Sequence, residues 1–247
     1  MDKINVGLIG LGTVGEGVAR ILTGKPKFLE KKIGAKLVLK RVCDKDLRRT
    51  RELKLNPSIL TTDVHKILND PEIQIVVELI GGIRPAKDFI LEAFKRGKNV
   101  VTANKALIAE CGEEIFREAK KANVDLYFEA SVGGGIPIIK VLRESLGANH
   151  IDTLLGIVNG TSNYILSSMA DEGLSFNQAL AEAQKKGYAE RDPSLDIKGG
   201  DSAHKLAILA LLGFGRSVDL KDIYTEGIEN VSLSDIEYAR DFGYCIK

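Results

Sequence analysis

The run GLIGLGTVGEGV near the amino terminus constrains this chain more than any other stretch. It places Gly10, Gly12 and Gly15 as G-x-G-x-x-G, directly after the apolar segment INVGLIG and at the mouth of a helical pattern, TVGEGVARILTG. The first glycine permits a tight reversal and the second lets the backbone approach an anion. The third lets the helix lie close to the strand, so that its first amides, at Thr13 and Val14, face a pyrophosphate. A glycine turn without a ligand is the competing reading. Context argues against it: a strand precedes the turn, a helix follows, and a second strand, AKLVLKRVCD, ends in an acid at Asp44.

An acid there reads ribose hydroxyls and suits NAD, because a carboxylate repels a 2′-phosphate. Lys45, Arg48 and Arg49 follow immediately and suit NADP, since they could hold that phosphate. The distance from Gly15 to Asp44 exceeds the usual ~20 residues, and KPKFLEKKIG reads as an insertion. On the residues alone, NAD and NADP both stay open.

Further along, apolar runs and helical patterns alternate: IQIVVELIG, PAKDFILEAFKRG, KNVVTAN, KALIAECGEEIFREAKKAN and VDLYFEASVGGG. That alternation marks a parallel sheet covered by helices. After three consecutive glycines the rhythm changes to a helix, IPIIKVLRESLG, a strand, IDTLLGIVNG, and then several helices. The fold class expected is α/β. A Rossmann-type, doubly wound parallel sheet occupies residues 1–132, and a second, α+β domain occupies 133–247.

Thirty-five Lys and Arg balance 34 Asp and Glu, a net charge of +1, which speaks against a nucleic-acid or acidic-membrane partner. Cys43, Cys111 and Cys245 are odd in number and lack metal-like spacing, so they read as reduced thiols in a cytoplasmic protein. The amino terminus enters a strand without a secretion signal, and no apolar run nears the roughly 20 residues that span a bilayer.

Two further stretches carry chemistry. VVTANKALIA ends a strand at Thr102–Asn104 and opens a helix on Lys105, a cation at a helix end that disfavours cations. A role near nicotinamide and substrate competes there with that of a surface lysine. GYAERDPSLDIKGGD then gathers Glu190, Asp192, Asp196 and Asp201 in one loop. It reads as a solvated acidic loop, as a calcium loop lacking EF-hand spacing, or, preferred, as a pocket for a small cation such as an α-ammonium. Asp201 and Lys205 are four apart, on one face of a helix that is otherwise apolar nearly all round. An amine held in such a place is suited to general acid–base work.

Taken together, GLIGLGTVGEGV, VVTANKALIA, FEASVGGGIPI, GIVNGTSNYIL and GYAERDPSLDIKGGDSAHKLAILA resemble the homoserine dehydrogenase family. The last is the most specific, through its order of Glu, Asp-Pro, Asp, Asp and Lys. The resemblance implies reduction of L-aspartate 4-semialdehyde to L-homoserine with NADPH or NADH, on the route to threonine, isoleucine and methionine. It implies Lys205 as proton donor positioned with Asp201, and Lys105 near nicotinamide and substrate. Glu190 and Asp196 would hold the substrate's amino group, with Gly160 and Thr161 lining the pocket. Glu129 and the carbonyls of Val132, Gly134 and Ile136 would bind a monovalent cation, Na⁺ or K⁺. The family forms homodimers through its second domain and continues past this chain's last residues, so that domain is expected to be incomplete at its carboxyl end.

Two other readings remain. An aldehyde dehydrogenase that phosphorylates its product needs a nucleophilic cysteine, and none of the three opens a helix in a cleft. A regulatory dinucleotide-binding module would bind cofactor without turnover.

Overall fold

The computed structural model describes residues 2–47, 53 and 55–247. Contacts divide the chain into two compact units, residues 1–140 and 141–247. The sequence puts the break at 132/133; the contacts put it at 140/141, beyond the glycine run.

The first unit is built on six parallel strands: β1 (Lys3–Ile9), β2 (Lys36–Cys43), β3 (Leu60–Thr61), β4 (Ile75–Glu78), β5 (Asn99–Thr102) and β6 (Leu126–Tyr127). Their order is β3-β2-β1-β4-β5-β6. β1 is the central strand, buried without interruption from Asn5 to Ile9. A strand covered on both faces needs an unbroken apolar run rather than alternation. The helices are α1 (Thr13–Gly24), α2 (Pro26–Ile33), α3 (His65–Leu68), α4 (Ala86–Lys95), α5 (Lys105–Ala122) and the short α6 (Ile138–Lys140). The direction of winding reverses between β1 and β4, so the loops after these strands flank the crevice where doubly wound sheets hold ligands. The stretch read as an insertion, KPKFLEKKIG, is α2, closed by Gly34 at φ 76°.

Opposite the ligand-binding end, polar groups are stitched together rather than left bare. Lys98 is almost fully buried, and its ammonium donates to the carbonyls of Asp70 (2.5 Å) and Ile73 (2.8 Å). Lys40 of β2 donates to Asp70 (2.9 Å) and Glu72 (2.5 Å). Burial alone would push the Asp70 carboxyl up. The Lys40 hydrogen bond and charge, with the Glu72 amide, outweigh it and hold that carboxyl below the usual aspartate range.

The second unit is helical: α7 (Gly160–Glu172), α8 (Phe176–Lys185), α9 (Ser194–Ile197), α10 (Gly200–Phe214) and α11 (Leu233–Asp241). Ile165 and Met169 of α7, Ala179 and Ala183 of α8, Ile197 of α9 and Ile236 of α11 form one core. Capping boxes at Ser175/Gln178 and Ser232/Asp235 fix where α8 and α11 start. The helix expected over 136–147 is α6 running into one π-helical turn, Val141–Ser145. The strand expected over 151–160 does not form: residues 151–159 are neither helix nor ladder, and Leu155 is 90% exposed. Alternating apolar residues make a strand only where another edge accepts their backbone bonds. No such edge lies among the described residues of this unit.

Two predictions follow from the first unit's packing. A Cβ at Gly15 would sit 2.1 Å from the Gly10 carbonyl oxygen. Gly15→Ala should therefore destabilise the protein by about 1–3 kcal/mol, read as a lowered Tm; an unshifted melt would mean the turn yields freely. Asp70→Asn should weaken the protein at neutral pH. Because the folded carboxyl is depressed, its contribution is present above the unfolded value and lost as pH falls through the folded one. Urea titrations should show the gap between wild type and variant closing in acid, and a gap that persists there counts against the Lys40 pairing.

Candidate active site

Gly10 adopts φ 98°, and a Cβ on it would lie 2.6 Å from the Leu79 carbonyl oxygen, so backbone crosses backbone there. A Cβ on Gly12 would meet nothing within 4 Å. Gly12 caps α1 without a side-chain bond, which leaves the first-turn amides, Thr13 to Gly15, to an outside acceptor. Two glycines thus close the turn and one keeps its mouth clear, a cradle that fits a pyrophosphate.

Asp44 follows β2. Its Oδ2 accepts from the Leu11 amide at 2.5 Å and its Oδ1 from the Asp46 amide at 2.8 Å. The carboxylate therefore braces the glycine turn. Lys45 beside it is exposed. Arg48 and Arg49 lie outside the described residues. Cys43, at the end of β2, is buried, and burial pushes its thiol up to about 11, with the charges of Asp44 and Asp63 adding to the effect. A thiol so disfavoured as thiolate is a poor nucleophile.

β5 ends at Thr102, whose hydroxyl accepts from the Asn104 amide at 3.0 Å. Asn104 caps α5 by accepting from the Leu107 amide at 3.2 Å, and its side-chain NH₂ donates to the Gly82 carbonyl at 2.6 Å. Lys105 is the first residue of α5. Near the end of the same unit, both oxygens of Glu129 accept backbone amides, from Ile139 (2.9 Å) and Lys140 (3.0 Å). Val132 is buried and Ile136 exposed, and the loop between them turns at Gly133 and Gly135 with φ 60° and 88°.

In the second unit a set of side chains converges at the start of α10. Asp201 is 3% exposed. Its Oδ2 accepts from Lys205 Nζ at 2.6 Å and from Asn159 Nδ2 at 2.8 Å. Lys205 Nζ also donates to the Val158 carbonyl at 2.6 Å. Asn159 Nδ2 donates to Asp196 Oδ1 at 2.7 Å as well, while its Oδ1 accepts from the Ser162 amide and so caps α7. Ser162 Oγ donates to the Asp196 carbonyl at 3.1 Å. Asp196, Asp201 and Lys205 are thus joined, and the joint is Asn159.

Sequence reasoning missed Asn159. An asparagine ahead of GTSNYIL is legible as a helix cap, but the two carboxylates its amide bridges are 37 and 42 residues away. Thr161, buried, donates to the Tyr188 carbonyl at 2.7 Å. Gly160 is exposed at the first position of α7. Glu190 is exposed, and its carbonyl accepts from Gln184 at 3.1 Å. A cavity of about 460 Å³ shares Val158, Asn159 and Asp196 with the cluster, but neither Asp201 nor Lys205 lines it.

Among the described residues no three His, Cys, Asp or Glu gather as a metal centre, and no helix is long and apolar enough to cross a membrane.

Comparison with known proteins matches both units. Residues 10–129 match the family model described as homoserine dehydrogenase, NAD binding domain, and residues 137–247 the one described as homoserine dehydrogenase. A homoserine dehydrogenase of Synechocystis sp. is 51% identical over 247 residues, covering 99% of this chain and 56% of its own length. A crystal structure of a homoserine dehydrogenase from Thiobacillus denitrificans aligns with TM-score 0.94 at 48% identity, over all of this chain and 57% of that one. A hyperthermophilic archaeal homoserine dehydrogenase in complex with NADPH aligns with TM-score 0.79 at 29% identity, over 93% of this chain and 75% of that one. The chain thus spans little more than half the length of the curated relatives it matches. With a nucleotide cradle in one unit, an anchored lysine in the other, and both units matched at this identity, the chain belongs to the homoserine dehydrogenase family.

Proposed function

We propose that this chain interconverts L-aspartate 4-semialdehyde and L-homoserine with NADPH or NADH. The observation that carries the reading is the Lys205 ammonium, fixed at 2.6 Å by both Asp201 and the Val158 carbonyl. A bound nicotinamide cofactor supplies the hydride. The chain's own residues handle charge and orientation. Lys205 stabilises negative charge developing on the aldehyde oxygen and gives it a proton. Asp201 keeps the ammonium on station, and Asn159 holds Asp201. Asp196 and Glu190 are the acids for the substrate's α-ammonium, with Gly160 and Thr161 at the pocket wall. Lys105 is a second cation of the reaction.

On the cofactor side, the amides after Gly12 take the pyrophosphate and Asp44 the ribose, Lys45 favours a 2′-phosphate, and Thr102 and Asn104 flank the nicotinamide. The NADPH complex of the archaeal relative supports a phosphorylated cofactor, whereas Asp44 supports NAD. Glu129 with the carbonyls of Val132, Gly134 and Ile136 is the place for Na⁺ or K⁺. The reading extends to a homodimer working in the cytoplasm in threonine, methionine and isoleucine biosynthesis.

NADPH and NADH oxidation with aspartate semialdehyde tests the assignment. Lys205→Ala should lower kcat by about 10²–10⁴-fold with cofactor affinity retained; wild-type turnover in that variant would remove Lys205 as the acid. Gly12→Ala should melt like the wild type, since its Cβ enters open space, yet lose NADPH affinity because that space is the anion's. Unaltered NADPH binding by Gly12→Ala would place the pyrophosphate elsewhere.

A further inference from the structure

Glu78 closes β4 and is fully buried, yet the proposed reaction leaves it without a part. Its Oε1 accepts from the Ile80 amide at 2.8 Å and its Oε2 from the Thr102 hydroxyl at 2.7 Å. The Thr102 oxygen also accepts from the Asn104 amide, so the hydroxyl is held between that amide and Glu78. Both Glu78 oxygens thus meet donor-bearing groups, which a carboxylate serves at both oxygens and an amide at only one.

The groups that Glu78 fixes all stand at the carboxyl ends of the strands. Ile80 belongs to the loop after β4, and that loop is the backbone against which Gly10 turns. The same loop's Gly82 carbonyl holds the Asn104 side chain, which caps the helix that Lys105 opens. One unbroken chain of bonds runs from the glycine turn's neighbour through Glu78 and Thr102 to Asn104.

We infer that Glu78 is a positioning residue. It locks the ends of β4 and β5 together and so sets where Asn104 and Lys105 stand for hydride transfer. This rests on the proposed reaction, and its expected mark is on alignment more than on cofactor affinity, because the proposed pyrophosphate and ribose contacts are made at the start of α1 and after β2.

The test is Glu78→Gln in the full-length protein, a change that keeps shape and turns one acceptor into a donor. Turnover with aspartate semialdehyde should fall about 10- to 100-fold, the scale of a small misplacement of reacting groups. The primary isotope effect with 4-deuterated NADPH should rise while the NADPH dissociation constant holds, and Tm should fall by no more than the loss of one buried hydrogen bond allows. Amide hydrogen exchange at Ile80 and Asn104 should quicken. Thr102→Val should reproduce the loss, Thr102→Ser should lose less, and the double variant should be no worse than Thr102→Val alone. If Glu78→Gln does not fold, the Thr102 pair carries the same readouts.

Wild-type turnover and isotope effect in Glu78→Gln, or losses that simply add in the double variant, would overturn the inference. So would a fall in turnover matched by an equal loss of NADPH affinity, the pattern of a merely structural acid. If the wild type itself fails to turn over aspartate semialdehyde, the reaction is wrong. The exchange data then decide the role of Glu78 alone, and unchanged exchange at Ile80 and Asn104 refutes it.

Discussion

A single carboxylate oxygen, Oδ2 of Asp201, receives both the Lys205 ammonium and the Asn159 amide in a place nearly closed to water. An ion pair in such surroundings is not a cheap source of stability, since desolvating two charges offsets most of their attraction. Its value is geometric. With the Val158 carbonyl as a second acceptor, the ammonium has one orientation rather than many, and its remaining donor capacity has one direction. The apolar body of α10, with Ala207, Ile208 and Leu209 buried behind the pair, supplies the rigidity.

The first unit reaches the same end through backbone accounting. Helix starts and strand ends leave amides without partners, and the chain meets them with side chains at particular places. Asp44 takes Leu11, Asn104 takes Leu107, and Glu129 takes Ile139 and Lys140. The start of α1 has a glycine cap with no side-chain oxygen to offer; the Gly12 carbonyl accepts from the Glu16 amide. Its first-turn amides lie directly after the glycine turn, at the carboxyl end of β1.

Much of this was legible in the residues because local rules wrote it. The Gly10–Gly15 spacing, the unbroken apolar runs of β1 and β4 and the four-residue interval from Asp201 to Lys205 each follow from short-range geometry. What stayed hidden depends on distant chain. Residues 151–159 have a strand's composition but find no edge to pair with among the described residues, and composition cannot report on partners. Asn159 falls inside the strand expected over 151–160, and its service to two acids far along the chain is a tertiary fact. Glu78 reads as one residue inside the apolar run IQIVVELIG, and nothing near it in sequence reveals that Thr102 packs its hydroxyl against it. KPKFLEKKIG reads as an insertion because its few apolar residues are diluted by lysines, yet Pro26 and Gly34 bracket a true helix.

The double duty of Asp44 bears on how coenzyme choice could change over evolutionary time or at a designer's hand. Exchanging that acid for a neutral residue, the obvious step toward accepting an extra phosphate, also strips the Leu11 amide of its acceptor. Under the proposed assignment of Asp44 to the ribose, selectivity at the sugar and stiffness at the glycine turn are inherited together. On the same proposal, a lineage drifting from one coenzyme to the other has an easier path through exposed Lys45, where charge can be added or removed without loosening the turn.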